Sequence, residues 1–135
     1  MYVSSDNPGT ADPMAPISSA AAEEHLPLKP AVFHILLALV NQEAHGYALR
    51  QTVLEQSGGT IRLATGPFYR YLGKIFDLGF VAESERRPAD DDVRRGSYYR
   101  LTPLGRAVLK AESARLAGVL SISKKLGLLP RAGAK

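Results

Sequence analysis

The chain has 135 residues, 45% of them hydrophobic, which is enough for one modest core and therefore for a single folded domain. Its net charge of +4 is uneven: residues 1–29 hold four acidic side chains and one lysine, while the other 106 hold 16 basic against 9 acidic, which favours an anionic partner. No cysteine is present for disulfide or thiolate chemistry, no apolar run could span a membrane, and no segment resembles a secretory leader, so we expect a cytoplasmic protein.

The first 28 residues predict a mobile arm. They are rich in Ser, Ala and Gly and leave room for at most one helical turn, at Ala20 to His25. Four prolines interrupt any longer element, at Pro8, Pro13, Pro16 and Pro27. From Lys29 the character changes, because Pro30 suits the first position of a helix and apolar residues then recur up to Asn41. This segment predicts the first core helix.

Two more helices are predicted in the middle of the chain. His45-Gly46-Tyr47 opens a helix of about 11 residues, and Ser57-Gly58-Gly59 stops it. After a short extended link, Thr65 can cap a third helix that runs to about Leu78. The apolar side of this helix is formed by Phe68, Leu72, Ile75 and Phe76, and its polar side carries Arg70, Tyr71 and Lys74.

A hairpin and a long helix complete the chain. Residues 80–87 alternate like a strand, residues 88–93 form an acidic tip, and residues 97–101 return as a second strand. Thr102-Pro103 then starts a helix that continues to about Leu126. The order predicts a mainly α fold with a small β-hairpin, namely a winged helix-turn-helix with an appended helix. We divide the chain into an arm (1–28), a DNA-binding domain (29–101), a dimerisation helix (102–127) and a flexible tail (128–135).

The third helix and the hairpin are the candidate DNA-binding elements. A recognition helix brings its first turns close to base edges and anchors its far side in a core, as the third helix could do through Thr65, Gly66, Pro67, Arg70, Tyr71 and Lys74. The alternative is an ordinary surface helix with solvated cations. Asp90, Asp91 and Asp92 at the hairpin tip would face solvent or pair with neighbouring arginines. The arginines that could reach phosphates or the minor groove are Arg86, Arg87, Arg94 and Arg95.

The last helix carries more apolar residues than one stripe against its own domain requires. A second copy of the chain is the simplest partner, because two-fold dimers are common and match a pseudo-palindromic operator. The alternative is that the helix only covers its own core. The residues predicted to form the dimer interface are Leu109, Leu116, Val119, Leu120, Ile122 and Leu126.

Nothing in the sequence indicates catalysis. His25, His34 and His45 lie 9 and 11 residues apart on different segments, without the spacing of a helical metal site. Neither a nucleophile motif nor a phosphate-binding glycine loop is present. We therefore expect no enzyme activity, no metal and no cofactor.

Five short motifs together resemble the PadR family of transcriptional regulators. They are Ile35-Leu36-Leu37-Ala38-Leu39, His45-Gly46-Tyr47-Ala48-Leu49, Gly66-Pro67-Phe68-Tyr69, Leu78-Gly79-Phe80-Val81 and the run from Tyr98 to Gly105. The resemblance implies a dimeric winged-helix repressor of the branch with a single short C-terminal helix, with Tyr47 and Tyr69 near DNA and a small, often aromatic, effector near the dimer interface. At Pro67 and Phe68 the family usually has Thr or Ser followed by Leu. The alternative function is a winged-helix module that binds an acidic protein without specific DNA binding.

Overall fold

The structure is a computed structural model that describes residues 18–84 and 98–130. Its order of elements is the predicted one, with two short additions, a helix before the first core helix and a strand before the second. The elements are α1 Ser19–Glu23, α2 Pro30–Ala38, β1 Ala44–His45, α3 Gly46–Gln56, α4 Thr65–Asp77, β2 Val81–Glu83, β3 Tyr98–Leu101 and α5 Pro103–Lys125.

The helix boundaries follow from local capping. His45 is the N-cap of α3 and accepts a hydrogen bond from the amide of Ala48 at 3.3 Å, while Thr102 caps α5 by accepting from the amide of Gly105 at 3.0 Å. The cap predicted for Thr65 is wrong. Ala64 is the N-cap of α4 and supplies no side-chain hydrogen bond, and Thr65 is the first helical residue.

The sheet has three antiparallel strands in the order β1-β3-β2. Val81 lies opposite Leu101 and Glu83 opposite Tyr99, which forms the base of the predicted hairpin, here called the wing. The other edge of β3 pairs with β1, where Ala44 lies opposite Tyr99. The sequence did not predict β1, because a two-residue strand has no alternation to detect. Residues 85–97, which include the whole predicted tip (88–93) and the end of the predicted first strand, lie outside the described residues.

The core lies around α2, whose buried residues face α3, α4 and α5. The largest fully buried side chains include Phe68, Phe80, Ile35, Leu36 and Leu49. The N-terminal part of α5 passes so close to the backbone of Phe80 that a Cβ at Gly105 would collide with the Phe80 carbonyl group, its carbon only 2.9 Å away. Gly105 therefore permits the close contact that fixes α5 against the base of the wing.

Residues 18–28 pack on the domain, although the sequence predicted a mobile arm up to residue 28. Ala22 of α1 is 2% exposed and contacts the core, and α1 lies along α5. Glu112 of α5 holds the segment after α1, since its buried carboxylate accepts the amide of Leu28 at 3.1 Å. Arg115 donates to the same carboxylate at 2.7 and 2.8 Å. A run of small residues gives little sequence signal for such packing, which depends on the shape of α5.

Candidate nucleic-acid interface

Helix α4 divides into a buried side and an exposed side, as predicted. Phe68, Leu72 and Ile75 are at most 2% exposed and anchor the helix in the core. The opposite side is turned to solvent and carries Gly66, Tyr69, Arg70, Gly73 and Lys74. Phe76 departs from the prediction. It is 42% exposed, because it lies at the edge of the apolar stripe rather than at its centre.

Two glycines lie on the exposed side of α4, Gly66 in its first turn and Gly73 in its interior. A glycine inside a helix costs roughly 0.5–1 kcal/mol relative to alanine, so it needs a reason. No reason exists within the described part of the chain: a Cβ at Gly73 would have no atom within 4 Å, and one at Gly66 would meet only the side chain of Arg70 at 3.8 Å. The open surface they leave lets another molecule approach the helix backbone closely.

The exposed side of α4 is cationic over most of its length. Arg70 and Lys74 form no ion pair with any residue in the ranges 18–84 and 98–130. No carboxylate occurs in the helix before its last residue, Asp77. Arg70 and Lys74 are therefore available for an anionic partner.

Tyr69 connects α4 to the start of α3. Its ring lies against the backbone of Gly46, where a Cβ would come within 2.9 Å of the Tyr69 Cε1 atom. Tyr47, the residue after Gly46, is 69% exposed, and its ring stacks on the ring of His45 with centroids 6.4 Å apart. Two tyrosines thus flank the N-terminus of α3, and one of them, Tyr69, belongs to the exposed side of α4.

Tyr71 lies away from Arg70, although the sequence grouped the two. It is half-buried and packs against the core, and the Nζ atom of Lys29 lies 6.0 Å from the centroid of its ring. Thr65 is exposed at the start of the helix, and Pro67 is half-buried. The candidate contacts therefore occupy two flanks of α4 rather than one.

The base of the wing is held by its two tyrosines. Tyr99 packs against the core, and burial, with smaller contributions from Glu83 and Tyr69, raises the pKa of its phenol. Tyr98 lies edge-on to His45 with centroids 5.4 Å apart. Arg86, Arg87, Arg94 and Arg95 lie outside the described residues. The structure adds Arg100, an exposed cation within β3 that the sequence analysis did not select; its position in the predicted strand was the only signal for it.

The apolar stripe of α5 continues beyond the domain. Its first part, up to Glu112, is buried in the chain's own core, and Leu109 of the predicted dimer interface belongs there because it is only 5% exposed. Beyond that point the stripe is uncovered. Leu116 is half-buried, and Val119, Leu120, Ile122 and Leu126 are 45%, 53%, 59% and 68% exposed.

Three core helices, a helix-turn-helix formed by α3 and α4, and an antiparallel wing define the winged-helix class of proteins. Residues 35–111 match the family described as transcriptional regulator PadR-like, and the chain belongs to that family. It is a transcriptional regulator.

Solved structures have the same fold. A predicted transcriptional regulator from Thermoplasma acidophilum is 25% identical, with a TM-score of 0.55 over 75% of this chain and 93% of that one. A transcriptional regulator from Clostridium thermocellum is 17% identical, with a TM-score of 0.58 over 81% of this chain and 96% of that one. No curated protein matches the sequence. Within the described residues, no helix is both long and apolar enough to cross a membrane.

Proposed function

We propose that the protein is a cytoplasmic homodimer that binds a pseudo-palindromic DNA operator, with α4 of each protomer in the major groove. The observation that carries this proposal is the pair of glycines on the exposed side of α4. Gly73 costs stability in the interior of the helix, and neither glycine contributes to packing among the described residues; they lie one turn before and one turn after Arg70, which has no carboxylate partner among those residues. A surface that is open and cationic suits close approach to a phosphate backbone and to base edges.

Each of the other candidate contacts has a proposed role. Arg70 extends from the middle of α4 and reads base edges or binds phosphate. The first residues of the helix, Thr65, Gly66 and Pro67, allow its N-terminal end to approach the duplex. Tyr47 and Tyr69 donate hydrogen bonds from their hydroxyl groups to phosphates beside the groove. Lys74 contacts the DNA backbone at the far edge of the groove, and Tyr71 supports this contact from the neighbouring flank of α4. The wing arginines Arg86, Arg87, Arg94 and Arg95 bind the adjacent backbone.

The second protomer covers the free end of α5. From Glu112 to Lys125 this helix extends by about 20 Å, at 1.5 Å per residue. Its exposed apolar residues continue the stripe that is buried further back, so their burial against a second copy completes one apolar surface. The interface is formed by Leu116, Val119, Leu120, Ile122 and Leu126. Bound at a promoter, such a dimer represses transcription, and a small-molecule ligand that changes the separation of the two recognition helices releases it.

The test begins with selection of bound sequences from a random DNA pool, followed by titration of the selected duplex at several salt concentrations. Arg70→Ala should weaken binding by about 1–3 kcal/mol, and the logarithm of affinity should fall linearly with the logarithm of salt. Lys110→Ala is the matched control, because Lys110 is an exposed cation on α5 away from α4. If Arg70→Ala retains full affinity, or if no sequence is enriched, the cationic side of α4 serves another partner, such as an acidic protein.

A further inference from the structure

A cleft of about 280 Å³ lies between α4 and the base of the wing. Helix α4 forms one wall with residues from Tyr69 to Asp77, and the wing forms the other with Glu83 of β2 and Tyr99 of β3. None of the described residues that line it belongs to α5, so the cleft is separate from the proposed dimer interface. The DNA contacts proposed above use Tyr69 and Gly73 and leave the other lining residues without a function.

Three aromatic side chains line the cleft. Tyr69 and Phe76 are 45% and 42% exposed, and Tyr99 is half-buried and packs against the core. Phe76 neither belongs to the core nor takes part in the proposed DNA contacts, so its exposed ring is available to a ligand. The face of an aromatic ring carries partial negative charge and attracts a cation. Three rings around one cleft therefore favour a ligand that is both apolar at its surface and positively charged.

The cleft also carries two uncompensated negative charges. Asp77 at the end of α4 and Glu83 at the end of β2 line it, and neither forms an ion pair with any residue in the ranges 18–84 and 98–130. No lysine or arginine of the described chain lines the cleft. Burial raises the pKa of the Tyr99 phenol, and the charge of Glu83 raises this pKa further, so the carboxylate acts on a ring of the same cleft.

We propose that this cleft binds a small alkylated ammonium ion, whose carbon groups contact the three aromatic rings and whose positive charge lies between Asp77 and Glu83. Aromatic surface alone would accept a neutral apolar molecule, and two carboxylates alone would accept any cation. The combination selects an ion that carries both features, because each part then has a matching surface. A hydrated metal ion keeps its water shell and leaves the rings uncovered, so it binds less well.

The cleft joins the two elements that are proposed to contact DNA, and this part of the inference rests on the proposed function. Its α4 wall includes Tyr69 and Gly73 on the exposed side of the helix, so the carboxylates of Asp77 and Glu83 lie close to that side and repel a phosphate backbone. An ammonium ion bound between them offsets this repulsion and bridges α4 to the wing. Occupation of the cleft therefore strengthens DNA binding.

Titration of the whole protein with choline chloride at constant ionic strength, followed by amide chemical shifts in solution, tests the site without DNA. We expect saturable shifts at residues of both walls with a Kd on the order of 1 mM or tighter, as suits a ligand of about seven non-hydrogen atoms. The neutral molecule of the same shape, 3,3-dimethyl-1-butanol, should bind about tenfold more weakly, because it lacks the positive charge. Ammonium chloride should also bind more weakly, because it lacks the methyl groups.

Three variants and a control locate the contacts. Asp77→Asn and Glu83→Gln keep the shape of the side chain without its charge, and Phe76→Leu keeps an apolar side chain without the ring; each should weaken choline binding about three- to tenfold. Glu55→Gln should leave it unchanged, because Glu55 is an exposed carboxylate of α3 that does not line the cleft. The proposal is overturned if choline causes no saturable shift up to about 10 mM, if the neutral molecule or ammonium binds as well as choline, or if the three variants bind it normally.

A DNA titration then separates this inference from the proposed function. Saturating choline should raise the affinity of the wild-type protein for the selected duplex about two- to fivefold relative to sodium chloride of the same ionic strength, and Phe76→Leu should bind DNA normally but lose the response. If choline binds while DNA affinity stays constant or falls, the coupling to DNA binding is refuted. If the protein binds no DNA sequence at all, the proposed function fails, whereas the choline titration still decides whether the cleft is an ammonium site.

Discussion

Replacing Gly73 by alanine should stabilise the protein and weaken its binding to DNA. Gly73 lies in the ninth position of the 13-residue helix α4, and a Cβ there would have no atom within 4 Å. Alanine therefore brings its helix propensity without a clash, for a gain of roughly 0.5–1 kcal/mol in the free energy of unfolding. For a chain of this size the melting temperature should rise by about 2–6 °C, measured by circular dichroism at fixed protein concentration.

The same methyl group projects from the side of α4 that faces the duplex in the proposed complex. Crowding a closely packed contact costs about 1–2 kcal/mol, so we expect the affinity for the selected operator to fall by roughly 5- to 30-fold in fluorescence anisotropy. Gly118→Ala is the control: Gly118 also lies inside a helix with no atom within 4 Å of its Cβ position, but on α5. It should gain similar stability and keep its DNA affinity, with the dimer verified by sedimentation. Unchanged DNA affinity in Gly73→Ala would refute the close approach on which the proposed function rests.

Three further predictions concern the frame that holds the site. Gly105→Ala should destabilise the domain by about 3 kcal/mol in urea unfolding, because the new methyl group meets the fixed backbone of Phe80; a loss below about 0.5 kcal/mol would contradict this. The hydrogen bond that Arg115 donates to Glu112 lowers the pKa of the Glu112 carboxyl group. The contribution of this carboxylate to stability is therefore present above the ordinary pKa of 4.5, and it is lost as the pH falls through the pKa of the folded state. Glu112→Gln should flatten the acid limb of the stability curve below about pH 5, and an unchanged limb would count against that assignment. Leu120→Asp should convert the dimer to monomers in sedimentation while Lys110→Asp leaves it intact, because only the former buries a charge in the proposed interface.

Local patterns predicted most of the helices. Pro30 and Thr102 mark helix starts by the same local chemistry in the sequence and in the structure, and the spacing of Phe68, Leu72 and Ile75 correctly indicated the buried side of α4. These signals act within one or two turns, so they are visible in a linear sequence. The polar side of α4 followed from the same spacing, which is why Arg70 and Lys74 were identified as exposed cations.

Long-range packing accounts for the features that the sequence did not reveal. Tyr71 and Phe76 have side chains that suit either core or surface, and only the neighbouring elements decide between them: the segment after α1 partly covers the first, whereas the second remains 42% exposed. Its spacing grouped Leu109 with the predicted dimer residues of α5. In the structure, however, α5 is buried in the core of its own domain as far as Glu112, and Leu109 lies in that buried part.

The sequence by itself determined the order of the main elements, the position of the candidate recognition helix and the family, because each depends on patterns that are local in the chain. Only the tertiary structure decided that Ala22 and Leu28 pack on α5, that β1 closes the sheet, and that Phe76 and Tyr99 line one cleft. These features join segments that are tens of residues apart in the chain. Their formation depends on the shape of the surfaces that meet, and the spacing of residues along one segment carries no information about that shape.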